Sequence, residues 1–160
     1  MKLYFKPILS VAVLAILLGY TGCGGSNPPG PSAEEVQLGK LVSTWKVGST
    51  GDVLLDNVSK KSDYAGFTLT LSGTAGATSF DYTTAGRPAL SAWKSGGKWK
   101  FGTDPETDII RDPGTNDEIP VTYTVTENQL EITFNYNGDG EPNAKTNQVT
   151  GQWVFRLSKN

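Results

Sequence analysis

The segment 119–136 constrains the fold more than any other part of the chain, because its pattern is typical of one antiparallel hairpin. Apolar residues occupy every second position in both halves, with mostly polar residues between them. A two-residue turn at Glu127 and Asn128 would bring the two apolar faces together. The pairs predicted by this register are Val125 with Leu130, Tyr123 with Ile132, and Val121 with Phe134. A slip of one residue would move every apolar side chain to the wrong face, so the register is well specified.

The same alternation recurs along most of the chain after residue 40 and predicts further strands with one buried face each. With the hairpin arms, the predicted strands are 41–47, 67–72, 79–83, 98–101, 108–111, 119–125, 130–136 and 149–157. A sheet of this size removes its exposed edges by closing into a barrel or by folding into a sandwich. The sequence therefore predicts an all-β fold, a single antiparallel eight-stranded barrel or flattened barrel.

The inward positions of these strands carry many large side chains. An eight-stranded barrel is either filled by its side chains or just able to hold one small ligand. Two interpretations stay open: the aromatic residues line a pocket for a hydrophobic molecule, or they fill the interior. The candidate cavity residues are Trp45, Phe67, Phe80, Trp99, Tyr123, Phe134 and Trp153.

Two further aromatic residues, Tyr64 and Trp93, lie in segments with loop-like composition. Either could stack on a sugar ring, which would indicate a carbohydrate-binding site. The alternative is that each is a partly buried loop residue that covers the mouth of the barrel.

The first 22 residues have the organisation of an export signal. Lys2 and Lys6 precede the apolar run 8–18, which is too short to span a bilayer. Small residues then lead to Cys23, with Tyr20 three positions before it. This arrangement resembles a bacterial lipoprotein signal, in which cleavage occurs before an acylated cysteine. The resemblance implies that residues 1–22 are removed and that Cys23 carries the acyl chains that hold the protein in a membrane.

Residues 23–32 would then be the lipidated cysteine and a tether of Gly, Pro, Ser and Asn. Ser32 followed by Glu35 matches a capping box and predicts a short helix that begins at Ala33 and ends at Lys40. The predicted domain covers 33–160, a helix followed by the barrel. Gly24 after the cysteine favours, by resemblance to lipoprotein sorting, the outer membrane; whether the domain faces the periplasm or the cell surface stays open.

Composition excludes several classes of function. The chain has no histidine and one cysteine, which excludes histidine metal sites, Ser-His-Asp triads and internal disulfides. Its net charge of −2 and the lack of a basic stripe argue against nucleic-acid binding. No spacing of carboxylates singles out a catalytic pair, so we expect no enzyme, no metal and no cofactor.

Several short motifs resemble the lipocalin-like lipoproteins of Bacteroidetes-type bacteria and, more distantly, the calycin superfamily. The matching segments, which together extend over about residues 33–159, are 41–47, 66–71, 96–101, 109–112 and 151–157. In lipocalins an arginine late in the last strand packs over a tryptophan of the first strand. The resemblance implies that Trp45 and Arg156 close one end of the barrel through such a cation–π contact, although Ser43 stands where the family has glycine.

The sequence therefore predicts a lipid-anchored outer-membrane binding protein. It would hold a small hydrophobic ligand in the barrel, or a partner such as an outer-membrane protein at the open-end loops. One alternative is a carbohydrate-binding accessory lipoprotein of a glycan-uptake system. Another is an inhibitor or adhesion module without a small ligand. Fold alone does not decide among them.

Overall fold

The computed structural model describes residues 30–138, 140 and 149–160. Residues 31–160 form one compact unit. The predicted signal peptide, Cys23 and residues 24–29 of the tether lie outside the described residues, so the lipid anchor stays a prediction. The elements are α1 (Ala33–Leu41), β1 (Ser43–Lys46), β2 (Asp52–Leu55), β3 (Val58–Ser59), β4 (Thr68–Ser72), β5 (Phe80–Ala85), β6 (Gly96–Phe101), β7 (Asp108–Arg111), β8 (Ile119–Val125), β9 (Gln129–Tyr136) and β10 (Gly151–Lys159).

Eight of these strands form a closed antiparallel barrel, which confirms the predicted fold class. The order around the barrel is β1, β4, β5, β6, β7, β8, β9 and β10, and pairing between β10 and β1 completes the ring. The register places Trp45 opposite Lys159 at this closure. The same face of each strand stays apolar around the ring, so the core lies inside the barrel.

The short hairpin formed by β2 and β3 was not predicted from the sequence. The hairpin extends the sheet at β10. This strand pairs with β2 over Trp153–Arg156 and with β1 at Ser158 and Lys159, near the C-terminal end of β10. The turn residues Asp56 and Asn57 both have positive φ, 49° and 64°. Aspartate and asparagine tolerate this backbone region, which two-residue hairpin turns need at both central positions.

The helix α1 closes one end of the barrel. Its capping box is as predicted: the Glu35 amide donates to Ser32 Oγ at 3.2 Å, and the Ser32 amide donates to the Glu35 carboxylate at 2.8 Å. The helix ends at Leu41, one residue later than expected. The indole of Trp45 donates to the Leu41 carbonyl at 2.9 Å, which joins the end of the helix to the first barrel strand.

The register predicted for the hairpin 119–136 is confirmed at Val125 with Leu130 and at Tyr123 with Ile132, but the β8–β9 ladder ends at Thr122 with Thr133. Pro120 explains where it ends. The Tyr123 amide donates to the Thr107 carbonyl, next to β7. Since successive amides of a strand point to opposite sides, the amides of even-numbered residues in β8 point towards β9. Proline has no amide to donate at position 120. The predicted pair of Val121 with Phe134 is therefore not part of the ladder.

Candidate functional site

All seven predicted cavity residues lie in the barrel core, with side chains that are at most 5% exposed. Five of the seven rings, those of Phe67, Phe80, Trp99, Phe134 and Trp153, pack against other rings of the core. Phe80 and Trp99 have centroids 4.6 Å apart, and Trp153 lies 5.7 Å from Phe155. The second interpretation left open by the sequence, that these rings fill the barrel, describes their packing.

Phe155 is the centre of this aromatic packing, although the sequence did not single it out. It is fully buried. The rings with centroids 5.3–6.0 Å from it are those of Tyr64, Phe67, Trp93, Phe134 and Trp153. Such contacts contribute about 0.5–1.5 kcal/mol each beyond the burial of apolar area.

The two loop aromatics are core residues as well. Tyr64 and Trp93 are 1% and 2% exposed, so neither offers a ring face on which a sugar could stack. The Tyr64 hydroxyl lies 3.2 Å from Ser91 Oγ, and burial raises the pKa of this phenol. Both side chains are therefore buried more completely than the alternative interpretation, a partly buried loop residue, expected.

The predicted contact between Trp45 and Arg156 is wrong. Arg156 lies on the outer face of β10, half exposed, where its Nε donates to the Glu131 carboxylate at 2.8 Å. The alternation along β10 requires this, because Trp153, Phe155 and Leu157 point inward. The cation near the Trp45 ring is Lys159, whose Nζ lies 5.8 Å from the ring centroid. Lys159 faces Trp45 because the two residues are cross-strand partners.

The buried phenol of Tyr123 should make the stability of the barrel depend on pH in the alkaline range. Its hydroxyl donates to the Pro105 carbonyl, and burial followed by the charges of Asp104, Glu106 and Asp108 raises the pKa of the phenol well above its ordinary value of 10.0. Because the pKa of Tyr123 is higher in the folded than in the unfolded protein, the protonated phenol stabilises the fold. This stabilisation is complete below pH 10, the unfolded pKa, and is lost as the pH rises through the folded pKa. We expect the free energy of unfolding to fall above pH 10, and to fall less steeply in Tyr123→Phe. Urea unfolding at a series of alkaline pH values measures this, and identical slopes for the two proteins would contradict it.

One buried charge is not explained by core packing. Arg111, at the end of β7, points inward and is 2% exposed. Its guanidinium carbon lies 4.7 Å from the ring centroid of Trp93 and 5.0 Å from that of Phe134. Its Nη1 donates to the Ala92 carbonyl at 2.9 Å, while its Nε has no hydrogen-bond partner. Burial lowers the pKa of this group.

The carboxylate nearest to Arg111 is that of Asp112, which is also buried. Asp112 Oδ2 lies 3.6 Å from Arg111 Nε, too far for a hydrogen bond. The Tyr82 hydroxyl lies 3.0 and 3.2 Å from the two carboxylate oxygens and donates to them. A left-handed backbone at Asp112, with φ of 52°, turns its side chain back into the barrel. A Cβ on Gly97 would lie 2.1 Å from Asp112 Oδ1, so this position requires glycine.

Arg111 is one of the residues that line a cleft at the end of the barrel opposite α1. This loop-end cleft has a volume of about 360 Å³. Its lining consists of Lys94, Arg111, Asn116, Asp117, Glu118, Ile119, Pro120, Asn135, Tyr136, Asn137 and Gly138. Lys94 and Asp117 form an ion pair of 2.6 Å between two loops of this lining.

A second cleft adjoins the first on the outer face of β7, β8 and β9. This outer-face cleft has a volume of about 500 Å³. It shares Pro120 and Asn135 with the loop-end cleft and also contacts Thr122 and Thr133, the last ladder pair. Both clefts therefore lie where β8 and β9 stop pairing.

Neither a family model, nor a curated protein, nor a solved structure matches this chain. Among the described residues, no helix combines the length and apolar character needed to cross a bilayer. Within that same part of the chain, no group of three or more acidic, cysteine or histidine residues is placed to hold a metal ion.

The arrangement is suited to binding a polar ligand. The lining of the loop-end cleft combines charged side chains with the amides of Asn116, Asn135 and Asn137, which both donate and accept hydrogen bonds. Arg111, Asp112 and Pro120 were not predicted from the sequence as site residues. The available signals were a charged residue on the inward face of a predicted strand, and a proline inside another strand.

Proposed function

We propose that this protein is a lipid-anchored outer-membrane binding protein, similar to the lipocalin-like lipoproteins, and that its ligand occupies the loop-end cleft. The export signal that ends at Cys23 supports the anchor. The closed eight-stranded barrel supports a binding role. The proposed role is binding without catalysis.

The observation that carries this proposal is the coincidence of three features at one place. The β8–β9 ladder ends at Thr122, two residues after Pro120, and a cleft opens there. The buried Arg111, whose Nε has no hydrogen-bond partner, borders that cleft. Burying a charge is costly unless it is paired and hydrogen-bonded. In a barrel whose interior is only packed, a buried arginine at position 111 would not add stability. In a binding protein, the same arginine could contact the ligand.

The position of the cleft suits an anchored protein. The tether joins the domain at α1, which covers one end of the barrel. The loops 87–95 and 112–118, which contribute Lys94 and Asp117, lie at the other end. The proposed site is thus at the end of the barrel opposite α1. It would be open to small molecules in the periplasm or outside the cell.

The other functions considered from the sequence have less support. The filled interior argues against a hydrophobic ligand among the aromatic residues of the barrel. The carbohydrate hypothesis relied on Tyr64 and Trp93, which are buried. An inhibitor or adhesion module would not require a buried cation beside an open cleft.

Pro120→Thr tests the location of the site. Threonine supplies the amide that proline lacks, so we expect the ladder to extend to the Asn135 carbonyl and the loop-end cleft to narrow. Native mass spectrometry of the full-length protein, purified in mild detergent from its own membranes, should show a bound small molecule. This adduct should be lost or strongly reduced in Pro120→Thr.

The matched control is Pro88→Ala, which changes a proline in a different cleft, beside Tyr64 and Trp153. It should keep the adduct. Absence of an adduct in the natural protein, or equal loss in both variants, would overturn the proposed location.

Cys23→Ala tests the anchor separately. The natural protein should fractionate with membranes and carry acyl chains on Cys23, because two or three chains make release from a bilayer negligible. The variant should appear in the soluble fraction or keep its unprocessed leader. Membrane fractionation and intact-mass measurement provide the readout, and an unacylated Cys23 on the membrane-bound natural protein would rule the anchor out.

A further inference from the structure

We infer that the ligand of the loop-end cleft is an uncharged molecule rich in hydroxyl groups, of the chemical class of a sugar or polyol. This inference rests on the proposed function, which places the ligand in that cleft, and adds the chemical class of the ligand. The site differs from the sugar-stacking site considered from the sequence, because the rings of Tyr64 and Trp93 are buried.

The charges at the loop-end cleft are already matched within the protein. Its lining contains two cations and two carboxylates, those of Lys94, Arg111, Asp117 and Glu118. Lys94 pairs with Asp117 at 2.6 Å, and Arg111 forms an ion pair with Asp112. The Glu118 carboxylate accepts from the Gly114 amide at 2.6 Å. A charged ligand of either sign would have to compete with one of these partners, which favours an uncharged ligand.

Residues 120 and 135 carry main-chain groups that have no partner in the β8–β9 ladder. The last ladder pair is Thr122 with Thr133. The Tyr123 amide donates on the β7 side, so the main-chain groups of even-numbered residues in β8 face β9. The next pair would be Pro120 with Asn135, and the ladder does not include it. The Pro120 carbonyl and the Asn135 amide and carbonyl therefore face the opening between the strands, where hydroxyl groups can donate and accept.

The side chains of the lining complement the same kind of ligand. Three exposed amides border the cleft, those of Asn116, Asn135 and Asn137. Each amide both donates and accepts hydrogen bonds, as each hydroxyl group does. Ile119 and Pro120 supply a small apolar surface for the carbon atoms of the ligand. The volume of about 360 Å³ lies within the range of small-molecule sites.

The adjoining outer-face cleft continues this surface. It shares Pro120 and Asn135 with the loop-end cleft. The side chains of its lining that can form hydrogen bonds are those of Thr103, Asp108, Thr122, Thr133, Asn135 and Gln152. Only Asp108 among them is charged. A ligand longer than one sugar ring would therefore meet amides and hydroxyls along both clefts.

The test determines the composition of the small molecule that copurifies with the full-length protein. The protein is purified from its own membranes in a detergent without a sugar headgroup, and the bound molecule is released by denaturation. Acetic anhydride adds one acetyl group to each hydroxyl, and trimethylsilyldiazomethane adds one methyl group to each carboxylic acid. We expect mass spectrometry to show several acetyl groups and no methyl group. Periodate, which cleaves between carbons that carry neighbouring hydroxyls, should fragment the molecule.

The double variant Asn116→Ala with Asn137→Ala links this molecule to the cleft. Both side chains are exposed, so the fold should tolerate their loss. In native mass spectrometry, we expect the ratio of ligand-bound to free protein to fall at least about tenfold, because two hydrogen bonds between uncharged groups are lost. The matched control is Asn128→Ala, an exposed asparagine in the turn between β8 and β9 at the other end of these strands, which should keep the natural ratio.

A released molecule that gains methyl groups, or that gains no more than one acetyl group, would overturn the inference. So would a double variant that keeps as much ligand as Asn128→Ala does. If a molecule without several hydroxyls were still lost in Pro120→Thr, the proposed site would stand and the ligand class would be rejected. A natural protein without any adduct would overturn both the site and the ligand class.

Discussion

Replacing Asp112 by alanine is expected to lower the free energy of unfolding by about 3–5 kcal/mol, because it removes the counter-charge of a buried arginine. Arg111 would remain among the rings of Trp93 and Phe134 without its ion-pair partner, and the Tyr82 hydroxyl would lose its acceptor. Urea unfolding followed by tryptophan fluorescence measures the change.

Two further variants separate charge from backbone effects. In Asp112→Asn, the asparagine tolerates the left-handed backbone at this position and its side-chain oxygen can still accept from the Tyr82 hydroxyl. The decrease in its free energy of unfolding therefore reports mainly the missing charge. The double variant Arg111→Met with Asp112→Ala should be more stable than Asp112→Ala alone, since it removes both charges.

The matched control is Asp81→Ala, which breaks the exposed pair between Asp81 and Lys98. Both side chains of that pair are more than half exposed, so its loss should cost less than about 1 kcal/mol. If Asp112→Ala were as mild as Asp81→Ala, Arg111 would not depend on Asp112, and the buried pair described here would be disproved.

Phe155→Ala is the second variant with a large expected effect, again about 3–5 kcal/mol of unfolding free energy. Phe155 is fully buried and lies within 6.0 Å of five other rings, measured between centroids. Removing its ring leaves an apolar hole that neighbouring strands close only in part. Phe155→Leu, which leaves less empty volume, should cost less.

The same variant tests whether the barrel interior is filled. An empty apolar cavity of sufficient size binds small apolar molecules such as benzene. We expect benzene to raise the melting temperature of Phe155→Ala and to leave that of the natural protein unchanged. Stabilisation of the natural protein by benzene would indicate an existing cavity, contrary to the packing of these rings.

The elements that the sequence predicts well are those with a strict period of two. In the hairpin 119–136, the alternation of apolar residues and the position of the turn both specify the same register, because only one register pairs the apolar faces. Tyr123 therefore pairs with Ile132 as expected. Closure of the barrel follows because an open sheet of this size would leave exposed edges. These inferences need only local pattern and one global constraint.

The candidate site could not be assembled in the same way. Its parts come from separate segments: Tyr82 from β5, Trp93 from a loop, Arg111 from β7 and Phe134 from β9. Nothing in the spacing of these residues says that they meet. The inward turn of Asp112 also depends on a left-handed backbone and on the space beside Gly97, neither of which alternation predicts.

The wrong prediction of a contact between Trp45 and Arg156 has a similar origin. The family resemblance supplied the pair, while the alternation of β10 already placed Arg156 on the outer face. The register of the closure, which brings Lys159 opposite Trp45, depends on how the first and last strands meet. That meeting is a long-range property of the whole ring.

The most direct test of the central claim is a crystal structure of the full-length protein purified with its bound molecule. We expect the ligand to lie in the loop-end cleft, in contact with Arg111, Pro120 and Asn135. Ligand density among the rings of Trp99, Phe134 and Phe155, or an unoccupied cleft in protein shown by mass spectrometry to carry a ligand, would contradict it.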